Sequence, residues 1–263
     1  MIVWVASFPR SGNTFLRIVL HRMYSLRTST IYDVDGVAAR LGPDLIGFTE
    51  RSAPLDELRA APDAYFIKTH RQRDADVHDD DRAICLIRDG RDALVSWARQ
   101  DSEDDSSRYE VELRAKILRQ SVVGTGSWGS NVLSWLQPPV PHRYVLRYED
   151  LTRAPAATVQ AVIATMAPEL TPLADASIPS LAELRQADDQ FFRRGRTGSH
   201  RDELPEDLHE LFWSRADNRA AMQLLGYAAP AAPGNDEPDR QEQRIAVPVR
   251  TLYHDGAAVD HGA

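Results

Sequence analysis

Residues 2–17, "IVWVASFPRSGNTFLR", decide the fold. Ile2 to Ser7 form a short, β-branched, almost unbroken apolar run, the pattern of a strand buried on both faces. After the polar cluster that follows, the period changes: Phe15, Leu16, Val19, Leu20 and Met23 recur at helical spacing, with Asn13 or Thr14 near the cap. The segment therefore reads as strand, loop, helix. A loop feeding a helix N-terminus presents unpaired backbone N–H groups and the positive end of the helix dipole, which together favour an anion. Ser11, Gly12, Asn13 and Thr14 add close backbone approach and hydroxyl or amide donors, and Arg10 adds a charged fork. The loop is predicted to hold a phosphate-like group. It departs from a nucleoside-triphosphate P-loop, because alignment on Thr14 puts Ser7 and Asn13 where Gly and Lys belong.

Working outward, further strands are predicted at 64–70, 83–88 and 143–150, and helices at 90–100, 108–120, 127–136, 153–166 and 205–225. Strands alternating with helices imply an α/β fold: one domain with a mostly parallel central sheet flanked by helices and, after its first strand, a P-loop-like loop. In such a fold, ligands gather beyond the carboxyl ends of the strands. The domain is expected to span 1–227. From 228 to 263 the composition shifts to Ala, Pro, Gly and charge, which predicts a linker-like tail whose stretch 245–253 could dock as an edge strand. The acidic runs 74–81 and 101–105 read as solvated loops and lack the spacing of a calcium loop.

A chain of 263 residues, 43% hydrophobic, has ample core for such a domain. Its net charge of −8 argues against a general nucleic-acid binder and leaves room for a local basic cleft. Cys85 is the single cysteine, which excludes an intramolecular disulfide and a cysteine-based zinc cluster. No targeting pattern or membrane-length apolar run is visible, so a soluble, cytoplasmic protein is expected. Lys68 and Lys116 are the only lysines among many arginines, which draws attention to both.

The run Phe8-Pro9-Arg10-Ser11-Gly12-Asn13-Thr14-Phe15 resembles the 5′-phosphosulfate loop of sulfotransferases that use 3′-phosphoadenosine 5′-phosphosulfate (PAPS). That loop commonly reads Tyr-Pro-Lys-Ser-Gly-Thr-Thr-Trp. By resemblance Arg10 takes the role of the lysine on the leaving phosphosulfate, and Phe15 that of the tryptophan stacked on adenine. Arg88, followed eight residues on by Ser96, is similar to the family's 3′-phosphate motif. Arg91, Asp89 and Asp92 read as caps and braces of that turn.

Arg193-Arg194-Gly195 and Gly198 resemble the C-terminal Arg-Lys-Gly loop that covers the cofactor, although Ser199 and His200 replace its usual Asp-Trp. Tyr148 matches a tyrosine near adenine in the family, while Gly126-Ser127-Trp128 matches a helix-entry motif, with Trp128 expected to pack. The resemblance spans about 2–227.

Lys68-Thr69-His70 matches the Lys-Thr-His of the cytosolic branch, in which the histidine takes the acceptor's proton. An imidazole suits that task, because a protonated alcohol or phenol is a weak nucleophile. The resemblance implies PAPS as co-substrate, adenosine 3′,5′-bisphosphate (PAP) as product, no metal, and His70, Lys68 and Arg10 as the catalytic groups. Glu50 is the reserve base.

The acceptor is expected to be a small molecule, with a natural-product hydroxyl favoured over an amine. Its walls would come from 25–62 and 97–125, through Tyr32, Phe48, Trp97 and Tyr109. Neither nucleic acid nor membrane is implied as a partner, and no dimer motif is recognisable. Two competing readings are a nucleotide or small-molecule kinase on a P-loop-like fold and a non-catalytic nucleotide-binding protein.

Overall fold

The computed structural model describes residues 1–103, 105–119, 124–193 and 195–227. The tail 228–263 and Arg194 lie outside the described residues. In chain order the first half contains β1 (Ile2–Ser7), α1 (Asn13–Tyr24), β2 (Thr28–Thr30), α2 (Gly36–Leu41), α3 (Pro43–Ile46), α4 (Leu55–Ala60), β3 (Tyr65–Thr69), β4 (Arg82–Ile87) and α5 (Gly90–Asp101). There follow α6 (Ser106–Leu118), α7 (Trp128–Leu136), β5 (Arg143–Arg147), α8 (Tyr148–Arg153), α9 (Pro155–Met166), α10 (Leu181–Ala187), α11 (His200–Glu203), α12 (Glu206–Ser214) and α13 (Ala216–Leu225).

The five strands form one sheet in the order β2-β3-β1-β4-β5, and every pairing is parallel. The expected α/β class and parallel sheet are present. β1 is central, and its alternate residues serve two cores. Ile2, Trp4 and Ala6 pack with α5, α6, α7, α12 and α13, whereas Val3 and Val5 pack with α1 and α9. Burial on both faces is why the opening run shows no polar alternation. Since β1 connects through α1 to the far edge at β2, while β3 crosses to β4 on its other side, the switch point of the sheet falls at the carboxyl end of β1.

Several boundaries differ from expectation for local physical reasons. β5 stops at Arg147, and Tyr148 opens a helix whose first turn carries Glu149 and Asp150, which suit its positive end. Pro155 sits at the first turn of α9 and separates it from α8, so the helix expected at 153–166 begins two residues later and ends as expected. The expected helix 205–225 breaks at Arg215, which is extended and donates to Asp217. β2 was not expected: three residues are too few to show alternation, and their place is set by pairing with β3.

The acidic run 74–81 is not wholly solvated. Asp81 is buried and accepts from Trp4 Nε1 at 2.9 Å, His78 N at 3.1 Å and Arg59 Nε at 2.9 Å. In the second run, Asp105 caps α6 by accepting from Ser107 N, so that helix begins earlier than expected. No helix among the described residues is long and apolar enough to cross a membrane.

Candidate active site

A cavity of about 600 Å³ opens at the carboxyl end of β1. Its wall includes Arg10, Gly12, Asn13, Thr14 and Phe15 from the opening loop and α1, and His70 from the end of β3. Arg88, Ser96 and Trp97 come from the β4–α5 unit, Tyr148 from α8, and Arg193, Gly195 and Phe191 from the C-terminal loop. Most of the sequence-predicted site residues thus converge, from segments far apart in the chain, while Ser11 and Lys68 do not reach the wall.

The opening loop turns sharply, with Arg10 at φ 63° and Gly12 at φ 98°. A Cβ on Gly12 would lie 2.5 Å from Tyr148 Cδ2, so glycine lets the loop meet the tyrosine ring. Asn13 has its side-chain amide committed to the strand, donating to Val5 O and Ser7 Oγ at 3.1 Å each. It fastens the loop with that group. Ser11 is buried and does not border the cavity, so its side chain is not part of the wall.

Three arginines meet at one end of the cavity. Arg88 donates to the carbonyls of Arg10 and Arg196 at 3.0 Å each, lies 4.5 Å from the centre of the Tyr148 ring, and has a buried Nε with no partner. Arg10 donates to Ser96 Oγ at 3.3 Å and to Phe191 O at 2.9 Å. Arg193, on the same wall, pairs with Glu203 at 3.3 Å. Burial, and then the charges of Arg88, Arg193 and Arg40, lower the Arg10 guanidinium to about 10. Such crowding of like charge is relieved by a polyanion. Arg10 and the Arg88–Ser96 pair, assigned by resemblance to opposite ends of a nucleotide, here share one hydrogen-bonded cluster.

His70 is held through both of its backbone polar groups and one ring nitrogen. Its N–H donates to Tyr32 Oη at 2.8 Å, its carbonyl accepts from Asn131 Nδ2 at 3.0 Å, and its Nδ1 lies 2.9 Å from Ser7 O. Burial, followed by the nearby Lys68 charge, pushes the imidazole down to about 3, so it is neutral near pH 7. Lys68 itself is buried and stands off the cavity wall, its Nζ 5.0 Å from the centre of the Tyr32 ring. Behind it, Arg17 and Asp35 form a fully buried pair at 2.7 Å. Burial lowers the Lys68 ammonium, with Asp35 opposing.

The expected acceptor walls divide. Trp97 borders the main cavity, Tyr32 and Phe48 line a second hollow of about 570 Å³ with Glu50, and Tyr109 lies in the core with its hydroxyl donating to Glu203 O at 2.6 Å. Tyr109 is therefore no wall residue. Trp128 is buried against Phe212 and Gly90, as expected for packing. Asp89 caps α5, whereas Asp92 reaches across to the C-terminal loop at Gly198 and His200, a contact that sequence spacing does not announce. No group of three or more potential metal ligands occurs among the described residues.

The family model "Sulfotransferase domain" matches residues 2–166. No curated protein matches the chain significantly. Among solved structures, mouse sulfotransferase SULT7A1 complexed with PAP is similar in fold, at 19% identity, TM-score 0.59, and coverage of 86% of this chain and 88% of that one. The sulfotransferase domain of the Synechococcus PCC 7002 olefin synthase aligns at 15% identity and TM-score 0.43, covering 87% of this chain and 95% of that one. With that family model matched over more than half of the chain, and with the opening loop, the strand-end arginine and the histidine on one cavity, the chain belongs to the sulfotransferase-domain family.

Proposed function

We propose that the protein transfers a sulfuryl group from PAPS to a hydroxyl of a small, largely apolar acceptor, with His70 as general base. The observation that carries this reading is the presence of His70 on the same cavity wall as Arg10, Arg88 and Arg193. The co-substrate supplies an activated sulfuryl group whose leaving phosphate gains charge. Arg10, at the turn after β1, is suited to neutralise that charge, and Arg88 with Ser96 and Arg193 to hold the 3′-phosphate. Tyr148 and Phe15 offer aromatic faces for the base. The cavity volume falls within the range of small-ligand pockets. A bound PAP in the mouse enzyme of the same fold supports the nucleotide assignment.

Ser7 O can only accept, so His70 Nδ1 carries the proton and Nε2 keeps its lone pair for the acceptor hydroxyl. Lys68 acts from behind, through its field on the imidazole. The cavity is also bordered by Val37, Trp97 and Phe191, which suits an aromatic or aliphatic hydroxyl compound better than a polyanionic sugar. The test is incubation with PAPS and a panel of phenols, alcohols and amines, followed by mass spectrometry. Acceptor-dependent PAP release with a sulfated phenol or alcohol is expected. Phosphorylation from ATP without any sulfated product would replace this reading with the kinase.

A further inference from the structure

The loop around Gly195–Ser199 is tied to α5 by one buried carboxylate. Asp92 is 1% exposed, and both of its oxygens are engaged with that loop. Oδ2 accepts from Gly198 N at 2.7 Å, and Oδ1 accepts from His200 N at 2.9 Å and faces His200 Nδ1 at 2.8 Å. One helical turn on lies Ser96, which meets Arg10, and a further turn brings Arg99, whose Nε donates to Glu203 at 3.0 Å. Glu203 also pairs with Arg193. A single face of α5 therefore fastens the C-terminal loop at two points, with the arginine cluster between them.

The consequence runs through Arg88. Its Nη2 donates to Arg196 O, a carbonyl in the segment that Asp92 anchors at Gly198. Asp92 does not border the cavity, and its nearest approach to Arg88 Nη2 is 3.9 Å. A carboxylate so near a phosphate-binding arginine would oppose a bound anion if its oxygens were free to compete. Here three donors from the loop occupy them.

We infer that Asp92 is a positioning residue for the 3′-phosphate, acting through Gly198 and His200 to hold the C-terminal loop so that Arg88 and Arg193 converge before the nucleotide arrives. This inference rests on the PAPS reading above. It assigns the departure at His200 a use: the imidazole takes part in the clamp.

The test is calorimetric binding of PAP and of adenosine 5′-monophosphate (AMP), which lacks the 3′-phosphate, to the full chain, to Asp92→Asn and to His200→Ala. Asp92→Asn is nearly isosteric but turns one acceptor into a donor facing an N–H. It is expected to weaken PAP by roughly tenfold or more while changing AMP by less than about threefold, and His200→Ala should shift the same ratio by a smaller factor. A general loss of packing would weaken both ligands alike. If the wild-type chain prefers PAP over AMP and both variants keep that preference, or lose both ligands equally, the positioning role is overturned and the nucleotide reading stands. If the wild-type chain shows no preference, the nucleotide reading itself fails, and the inference with it. Should Asp92→Asn not fold, His200→Ala alone decides.

Discussion

His70 Nδ1 lies 2.9 Å from the carbonyl oxygen of Ser7, so the last residue of β1 fixes the tautomer of the imidazole that follows β3. The two strands are neighbours in the sheet, and the pairing of Ala6 with Thr69 brings Ser7 and His70 level. Replacing His70 with Ala should lower turnover by about 10²–10⁴-fold while leaving PAP affinity within a few fold. Loss of PAP binding with normal turnover at saturation would reject the role.

The same burial makes a pH prediction. The imidazole is held near 3 in the folded chain, against an ordinary value of 6.5. A depressed histidine favours the folded state above its unfolded value and loses that stability as pH falls through the window from about 6.5 to about 3. The limiting slope is about 1.4 kcal/mol per pH unit. Urea melts of wild type and His70→Asn across that window should show the shallower acid loss in the variant. In kcat/KM, which reports the free enzyme, His70 should produce no acid limb near 6.5. Lys68→Met should raise the imidazole value, since the ammonium lowers it; histidine titration by NMR checks the shift.

Arg88→Ala removes a guanidinium that braces the opening loop at Arg10 O and faces the cavity. PAP should weaken by roughly 10–100-fold, and AMP far less. Equal losses for both ligands would take Arg88 out of the 3′-phosphate site.

PAP should stabilise the fold, because it relieves the repulsion among Arg10, Arg88 and Arg193. At a hundred times its Kd, a ligand adds about 2.7 kcal/mol. For a chain of this size that corresponds to a rise in Tm of roughly 5–10 °C by thermal melt. Added salt should erode the binding that underlies it.

Gly12→Ala should damage both stability and nucleotide binding. The backbone is left-handed there, and the new Cβ would meet the Tyr148 ring at 2.5 Å. A loss of about 1–3 kcal/mol is expected in chemical denaturation. Unchanged stability would mean that the loop is not packed on Tyr148.

Much of this site is legible in the sequence because its parts are local. The strand, the turn and the helical period of 2–23 are contiguous, and Lys68-Thr69-His70 stands at a strand end where a parallel sheet opens. Relations across the fold are not so written. Nothing in the spacing joins Asp92 to His200, or Arg10 to Ser96, because those contacts depend on how α5 lies against one loop 108 residues after it and another 86 residues before it. Asp81 looked solvated because its neighbours are acidic, yet the Trp4 indole and the Arg59 guanidinium offset its burial from distant positions. Tyr109 looked like an acceptor wall because aromatic content says nothing of which helix face turns inward.

A cavity built for a 3′-phosphorylated nucleotide rather than a nucleoside triphosphate must discriminate PAP from ATP. Calorimetric titration of PAP against ATP, in metal-free buffer and then with magnesium, tests it most directly. Tight PAP binding that magnesium leaves unchanged, with weak ATP binding in both buffers, is the expected result. Binding of ATP alone, and only with magnesium, would contradict it.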